Sequence, residues 1–220
     1  MNEASGKGLH LDRVVIGLAG RELLALDRSI APGKVLTVMG PSGSGKSTLL
    51  AFLAGFLDPA FTATGRVLVD GEDVTDLPAQ ERHMGLLFQD PLLFPHLSVG
   101  GNLLFGLDPA LPGRHARRKA VEAALAEVGM EGFFDRDPAT LSGGQKARIA
   151  LLRTLLSRPR ALLLDEPFSK LDAGMKDQVR ALVFAEAAKR ELPVLLVTHD
   201  PLDAEAAGGP LVDLAAGKAT

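Results

Sequence analysis

Gly40-Pro41-Ser42-Gly43-Ser44-Gly45-Lys46-Ser47 is the stretch that decides how this chain folds. It fits the pattern G-x-x-x-x-G-K-[ST]. A short apolar run, Val35 to Met39, reads as a strand ahead of it, and the apolar segment Lys46 to Leu57 reads as a buried helix behind it. In a strand, glycine loop, helix sequence, successive backbone N–H groups turn inward on an anion. The positive end of the following helix points at the same spot. Lys46 is then expected to reach the β and γ phosphates of a nucleotide, and the Ser47 hydroxyl to ligate Mg²⁺. Thr48, in the first helical turn, completes the candidate phosphate-contacting set.

Working outward from this loop, the preceding residues read as strands and turns. Val14-Val15-Ile16 is β-branched, Pro32-Gly33 is a turn pair, and Arg66 to Asp70 reads as a strand ending in the turn Asp70-Gly71. From Pro91 to about Thr140 the texture becomes that of a helical insertion. Proline and glycine punctuate its beginning, and Val121, Leu125 and Val128 then recur at helical spacing. Ser142 opens a helix with Ile149, Leu152 and Leu155 on one face, stopped by Pro159. Ala161 to Leu164 reads as a fully buried parallel strand, Gly174 to Arg190 as a helix with Val179, Leu182 and Val183 inward, and Val194 to Thr198 as another buried strand. Alternating strands and helices imply an α/β sheet.

Composition narrows the chemistry. The 220 residues carry 24 Lys and Arg against 27 Asp and Glu, a balance that disfavours a general nucleic-acid binder. With no cysteine, a disulfide scaffold, a thiolate metal site and thiol catalysis are all excluded. Residues 1–11 lack the apolar stretch of a secretory signal. The longest segment free of charged residues, Pro91 to Leu107, is broken by proline, glycine and Asn102 and falls short of a membrane span. The chain reads as soluble and intracellular, with any membrane role exercised through a partner.

Leu162-Leu163-Leu164-Asp165-Glu166 places two acids at the end of a buried strand, where ligands of open α/β sheets bind. Asp165 suits a Mg²⁺ partner acting through water, and Glu166 a base that orients or deprotonates an attacking water. Leu141-Ser142-Gly143-Gly144-Gln145 begins the next candidate site. Ser142 suits an N-cap, and the two glycines leave N–H groups open to a second anion contact, with an ordinary capped turn as the alternative.

LSGGQ lies 24 residues before Asp165, and this pairing resembles the signature of ATP-binding-cassette (ABC) ATPases. The likeness runs from Leu9 to about Leu214. Within the family it is to short YnjD-type importer subunits of the thiamine, polyamine and iron group, through PATLSGGQ, ALLRTLL and ALLLDEPFS. The resemblance implies an α/β P-loop NTPase fold of the ABC-ATPase kind: a mostly parallel core sheet, an N-terminal antiparallel β subdomain and a helical subdomain. It implies one domain over 1–220. Residues 1–90 and 156–220 form the nucleotide-binding core with its β subdomain, and about 91–155 form the helical subdomain that carries the signature. The expected end of the chain, about 20 residues after His199, leaves out a C-terminal regulatory domain.

The same resemblance assigns further roles. Gln89 matches the glutamine that senses Mg²⁺ and meets the transmembrane partner, and His199, in Thr198-His199-Asp200, matches the switch histidine expected at the γ-phosphate. Ser169-Lys170-Leu171-Asp172 resembles the loop usually written SALD, with Lys170 in place of the common alanine and Asp172 as a nucleotide-site residue. The implied catalytic set is Lys46, Gln89, Glu166 and His199. The implied metal set is Ser47, Gln89 and Asp165, with ATP and Mg²⁺ as cofactors. Two copies are expected to face each other head to tail, each ATP lying between one chain's Lys46 loop and the other's Ser142 helix. The expected partners are a second ATPase subunit, a permease and a solute-binding protein, at the cytoplasmic face of the inner membrane, with no nucleic acid.

Leu87 to Asn102 resembles the importer pattern VFQ…LFPHLTV…N, and its exposed apolar residues, such as Leu93 and Phe94, are expected to receive a short permease helix, with a buried structural loop as the alternative. The basic group Arg114, Arg117, Arg118 and Lys119 suits a solvated helix face better than a lipid contact. One departure from the family stands out: the aromatic residue that usually stacks on adenine is missing. The chain has no Tyr or Trp, its first Phe is Phe52, and the matching stretch Val14 to Gly20 is aliphatic.

Two competing readings remain at this stage. One is an ABC ATPase energising export, lipoprotein release or cell division. The other is a regulatory subunit that binds nucleotide without turnover, against which the presence of both Glu166 and His199 argues. Chromosome-clamp ATPases need a longer insertion than the 119 positions from Lys46 to Asp165, and excision-repair ATPases need zinc-binding cysteines.

Overall fold

Alternating side chains on β1 (Leu9–Leu18) drive the antiparallel N-terminal sheet. Leu9, Leu11, Val14 and Ile16 point inward, so the parity changes between Leu11 and Val14. A bulge there resets it: the register with β2 (Arg21–Ile30) shifts between Leu11 and Val14, and Arg13 adopts a left-handed φ of 50°. The extra residue keeps four apolar side chains on one face, where plain alternation would send the last two to solvent. Gly65, on the facing strand, is required by this bulge, because a Cβ there would lie 2.4 Å from the Arg13 carbonyl oxygen. The computed structural model describes residues 6–215.

The remaining elements are β3 (Val35–Met39), α1 (Lys46–Ala54), β4 (Phe61–Val69), β5 (Glu72–Asp73), β6 (Met84–Leu87), α2 (Val99–Gly106), α3 (Arg114–Glu127), α4 (Gly143–Leu156), β7 (Ala161–Asp165), α5 (Ala173–Lys189), β8 (Val194–Thr198), α6 (Pro201–Ala207) and β9 (Leu211–Asp213). One sheet runs β2-β1-β4-β5 and is antiparallel, and a five-stranded sheet runs β6-β7-β8-β3-β9. In the second sheet β3 pairs parallel with both β8 and β9, and β7 pairs parallel with β8. This is the α/β architecture expected from the alternation of elements.

The described residues divide into two compact units. One holds those through Leu86, Arg160–Glu166 and those from Phe184 onward; the other holds Leu87–Pro159 and Pro167–Val183. In the first, one core joins β1, α1, β3, β7 and β8 through Ile16, Leu49, Leu53, Val38, Leu163 and Leu195. Helix α1 is buried nearly all round, and Ser47 is its one fully exposed residue. Burying Leu49, Leu50 and Leu53 is worth roughly 5–9 kcal/mol. A missing side-chain N-cap costs only about 1 kcal/mol. The helix can therefore begin at an uncapped glycine.

In the second unit, Val121, Leu125, Val128, Ile149 and Leu152 share a core with Val99 and Leu103, as their spacing predicts. Asn102 is fully buried there. Its Oδ1 accepts from the Phe94 N–H, and its Nδ2 donates to the carbonyls of Phe94, Leu97 and Ser98, which pins residues 94–98. Within the basic group, Arg117 donates to the backbone of Leu104, Asp108 and Leu111. Arg118 pairs with Glu122 and Asp135 and lies over the Phe134 ring. These two cations are consumed by the fold.

Candidate nucleotide site

Strand β3 ends at Met39 and α1 starts at Lys46, so Gly40 to Gly45 form the loop between them. Gly43 and Gly45 hold left-handed φ values of 79° and 88°. A Cβ at Gly45 would also crowd Leu24 and Leu23 at 3.1 and 3.3 Å. No side chain caps α1, and no acid stands in its first turn, so nothing competes with an anion for the helix's positive end. Lys46 is buried, and its Nζ donates to the carbonyls of Gly40 (2.8 Å) and Pro41 (2.9 Å). An ammonium has three protons, so one remains for a phosphate oxygen. The Ser44 hydroxyl is buried with no partner among the described residues.

Asp165, at the end of β7, accepts a hydrogen bond from the Ser47 hydroxyl through Oδ1 at 3.1 Å. Burial raises its pKa above the usual carboxylate value, and the neighbouring Glu166 charge pushes the same way against the Ser47 bond and Lys46. Such a carboxylate gains from a nearby cation. The pair of Ser47 oxygen and Asp165 carboxylate fits Mg²⁺, which binds through one or two protein oxygens and fills its shell with phosphate and water. Among the described residues no group of three or more His, Cys, Asp or Glu is placed to hold a metal ion.

Glu166 follows directly, in a left-handed conformation (φ 45°) held by its N–H on the Val197 carbonyl. Backbone strain of this kind needs surrounding structure to hold it. His199, just beyond β8, brings Nδ1 to 3.0 Å from Glu166 Oε2. The end of β8 is itself fixed. Thr198 Oγ1 donates to Asp203 Oδ2 and accepts from the Asp200 N–H, and Asp200 caps α6. Lys46, Ser47, Asp165, Glu166 and His199 all belong to the first compact unit.

The other candidates belong to the second unit. Gln89 is exposed, two residues after β6. Ser142 caps α4 in a reciprocal pair: its Oγ accepts from the Gln145 N–H, and Gln145 Oε1 accepts from the Ser142 N–H. Gln145 therefore braces the turn, and the N–H groups of Gly143 and Gly144 are the ones left for an anion. Asp172 precedes α5, and its carbonyl accepts from the N–H groups of Met175 and Lys176.

One expectation needs correction. Leu93 and Phe94 are half-buried rather than exposed. Phe94 packs edge-on against Phe105 with centroids 4.8 Å apart, and Arg153 lies 5.2 Å over its ring. The exposed apolar side chains in this region are Phe88, Leu92 and Phe105. Arg153 also donates to the carbonyls of Pro91 and Leu92, an anchoring role that its place within a helix does not reveal. In the aliphatic stretch ahead of the phosphate loop, Val14 and Ile16 are buried and only Leu18 presents an exposed large apolar side chain.

Among the described residues no helix is long and apolar enough to cross a membrane. The model of the ABC transporter family matches residues 23–169. An uncharacterized ABC transporter ATP-binding protein, YnjD of Escherichia coli, is 50% identical over 84% of this chain and 85% of its own length. The thiamine import ATP-binding protein ThiQ of Cereibacter sphaeroides is 47% identical over 89% of this chain and 83% of its own. Among solved structures, the ATP-binding cassette MJ0796, a dimer in a post-hydrolysis state with ADP and Pi, superposes with a TM-score of 0.75 at 28% identity, covering 93% of both chains. A phosphate loop mounted on a buried helix, the acids at the end of β7 and these likenesses lead to one conclusion: the chain belongs to the ABC transporter family, as an ATP-binding subunit that hydrolyses ATP.

Proposed function

We propose that this chain powers a bacterial importer, working as a pair of copies beneath a separate permease at the cytoplasmic face of the inner membrane, with a solute-binding protein delivering the cargo. The names of the thiamine-import relatives support import, and the dimeric state of the solved neighbour supports pairing.

Lys46 and the N–H groups of the loop hold the β and γ phosphates of ATP, and Ser47 with Asp165 holds Mg²⁺. The metal, when bound, neutralises charge on the β and γ oxygens. Glu166 orients and deprotonates the attacking water. His199, fixed by Glu166, contacts the γ-phosphate, and Gln89 reports the state of the permease to the site. Ser142, Gly143 and Gly144 of the second copy approach the same phosphate from the other side, with Asp172 at that junction. An anion met by two helix ends and an ammonium is held better than by either helix end alone. Cleavage of the γ-phosphate removes the group that joins the copies, and the pair loosens.

The observation that carries this reading is the union, in one unit, of the Lys46 loop, the Ser47–Asp165 contact and the His199–Glu166 pair. A phosphate-release assay on the purified chain tests it, with Lys46→Ala and Glu166→Gln as controls. Turnover in the wild type and its loss in both variants are expected. Binding without turnover in the wild type would favour a regulatory subunit instead.

A further inference from the structure

Lys170, in the loop Ser169-Lys170-Leu171-Asp172, brings its Nζ to 2.6 Å from both Oδ1 and Oδ2 of Asp90. Both partners belong to the same compact unit, 80 positions apart in the chain. Each sits beside a residue assigned to the ATPase reaction: Asp90 follows Gln89, and Lys170 precedes Asp172 by two positions. Gln89 and Lys170 also line one shallow recess, together with Gly143 and Lys146 of the signature helix.

An exposed ion pair adds little to global stability. The side chains of Lys170 and Asp90 are 51% and 58% exposed, so the bridge does not explain why the unit folds. What it does is local. Asp90 is exposed in the stretch after β6, whose Pro91 and Leu92 carbonyls Arg153 anchors, and the Nζ chelate ties Asp90 itself to the loop that carries Lys170.

We propose that Lys170 and Asp90 are positioning residues for ATP hydrolysis: their ion pair holds the Gln89 segment to the Asp172 turn, so that both are placed together when the site closes. This rests on the roles given to Gln89 and Asp172 above. It predicts an effect on turnover rather than on nucleotide affinity, because neither side chain belongs to the phosphate-holding unit. It also predicts sensitivity to ionic strength, because the pair is solvent-exposed and the screening length falls from about 10 Å at 0.1 M salt to about 3 Å at 1 M.

The test uses the full-length chain with Lys170→Met, Asp90→Asn and the exchange Lys170→Asp/Asp90→Lys. Each single variant should lower kcat about three- to fivefold, the ceiling set by an exposed pair. KM for Mg-ATP should stay within about twofold and the melting temperature unchanged. The exchange should restore most of kcat, and high salt should slow the wild type more than the variants. Hydrogen–deuterium exchange at residues 88–92 should quicken in both single variants, a reading that needs no turnover.

Unchanged exchange at 88–92 overturns the proposal. So do single variants with wild-type kcat, or an exchange variant no better than the singles. A wild-type chain without ATPase activity would instead overturn the functional reading, and the deuterium measurement would still decide whether the tether exists.

Discussion

His199 and Glu166 meet at 3.0 Å through Nδ1 and Oε2, across the ends of two adjacent parallel strands that α5 connects. A carboxylate only accepts, so Nδ1 carries the proton in this pair. The ring is thereby oriented by Glu166. The left-handed backbone of Glu166 is held by its N–H bond to the Val197 carbonyl.

Glu166→Gln keeps the shape and removes the base. Phosphate release should fall by at least about a hundredfold, the usual worth of a positioned general base. Size-exclusion chromatography with light scattering at saturating ATP and Mg²⁺ should then show a stable pair of copies; monomers under those conditions would contradict the proposed mechanism.

Asp165 is strained in its charged form, since burial raises its pKa. A carboxyl raised in the folded state destabilises the fold above its ordinary titration range, and that penalty disappears as pH falls and both states become protonated. Asp165→Asn retains an oxygen for Ser47 and removes the charge. Its melting temperature at pH 7 should exceed that of the wild type by a few degrees. The gap should close below about pH 4, near the unperturbed carboxyl value. ATPase activity should fall over the same comparison, because a site for Mg²⁺ has been relaxed.

Arg82 is the largest structural commitment beneath the phosphate loop. Its guanidinium, buried and held below its usual pKa by that burial, donates to the carbonyls of Phe52, Leu53, Thr75 and Leu77. Phe52 and Leu53 lie in the last turn of α1, where the Gly55 N–H also reaches the Phe52 carbonyl and Arg82 supplies the side-chain donor. Arg82→Ala should cost about 2–4 kcal/mol in urea unfolding. Arg82→Lys should recover less than half of that, since a lysine cannot fork between four acceptors.

Residues 14–20 hold no aromatic ring, and Leu18 is the exposed large apolar side chain there, so this segment offers no ring to stack on a base. GTP should be hydrolysed within about tenfold of ATP at matched concentrations, since stacking of this kind is worth about 1–3 kcal/mol. A GTPase rate far below that would show that another group reads the base.

The placement of the phosphate loop, of Asp165 and Glu166 at the end of β7 and of His199 after β8 was legible because each is written in residue types with a narrow chemical use at a fixed strand end. The helical faces of α3 and α4 were legible through their period. Arg82 was not, because its partners are backbone carbonyls, which leave no trace in a side-chain pattern. Lys170 was visible as a departure, but its partner lies 80 positions away. The half-burial of Leu93 and Phe94 depends on Arg153 and Phe105, contacts that local hydropathy does not report. Helix α6 and strand β9 are short, with few apolar residues to give a period, and their placement is settled by the Asp200 cap and the edge of β3.

Helix α1 has almost no wet side, and that has a mechanical meaning. Both sheets grip it through Leu49 and Leu53, so the loop at its head is bolted to an anvil and does not swing. Sliding Lys46 by even an ångström would tear open the interior that α1 fills. Whatever stroke accompanies turnover must be made by other parts of the machine closing onto this seat.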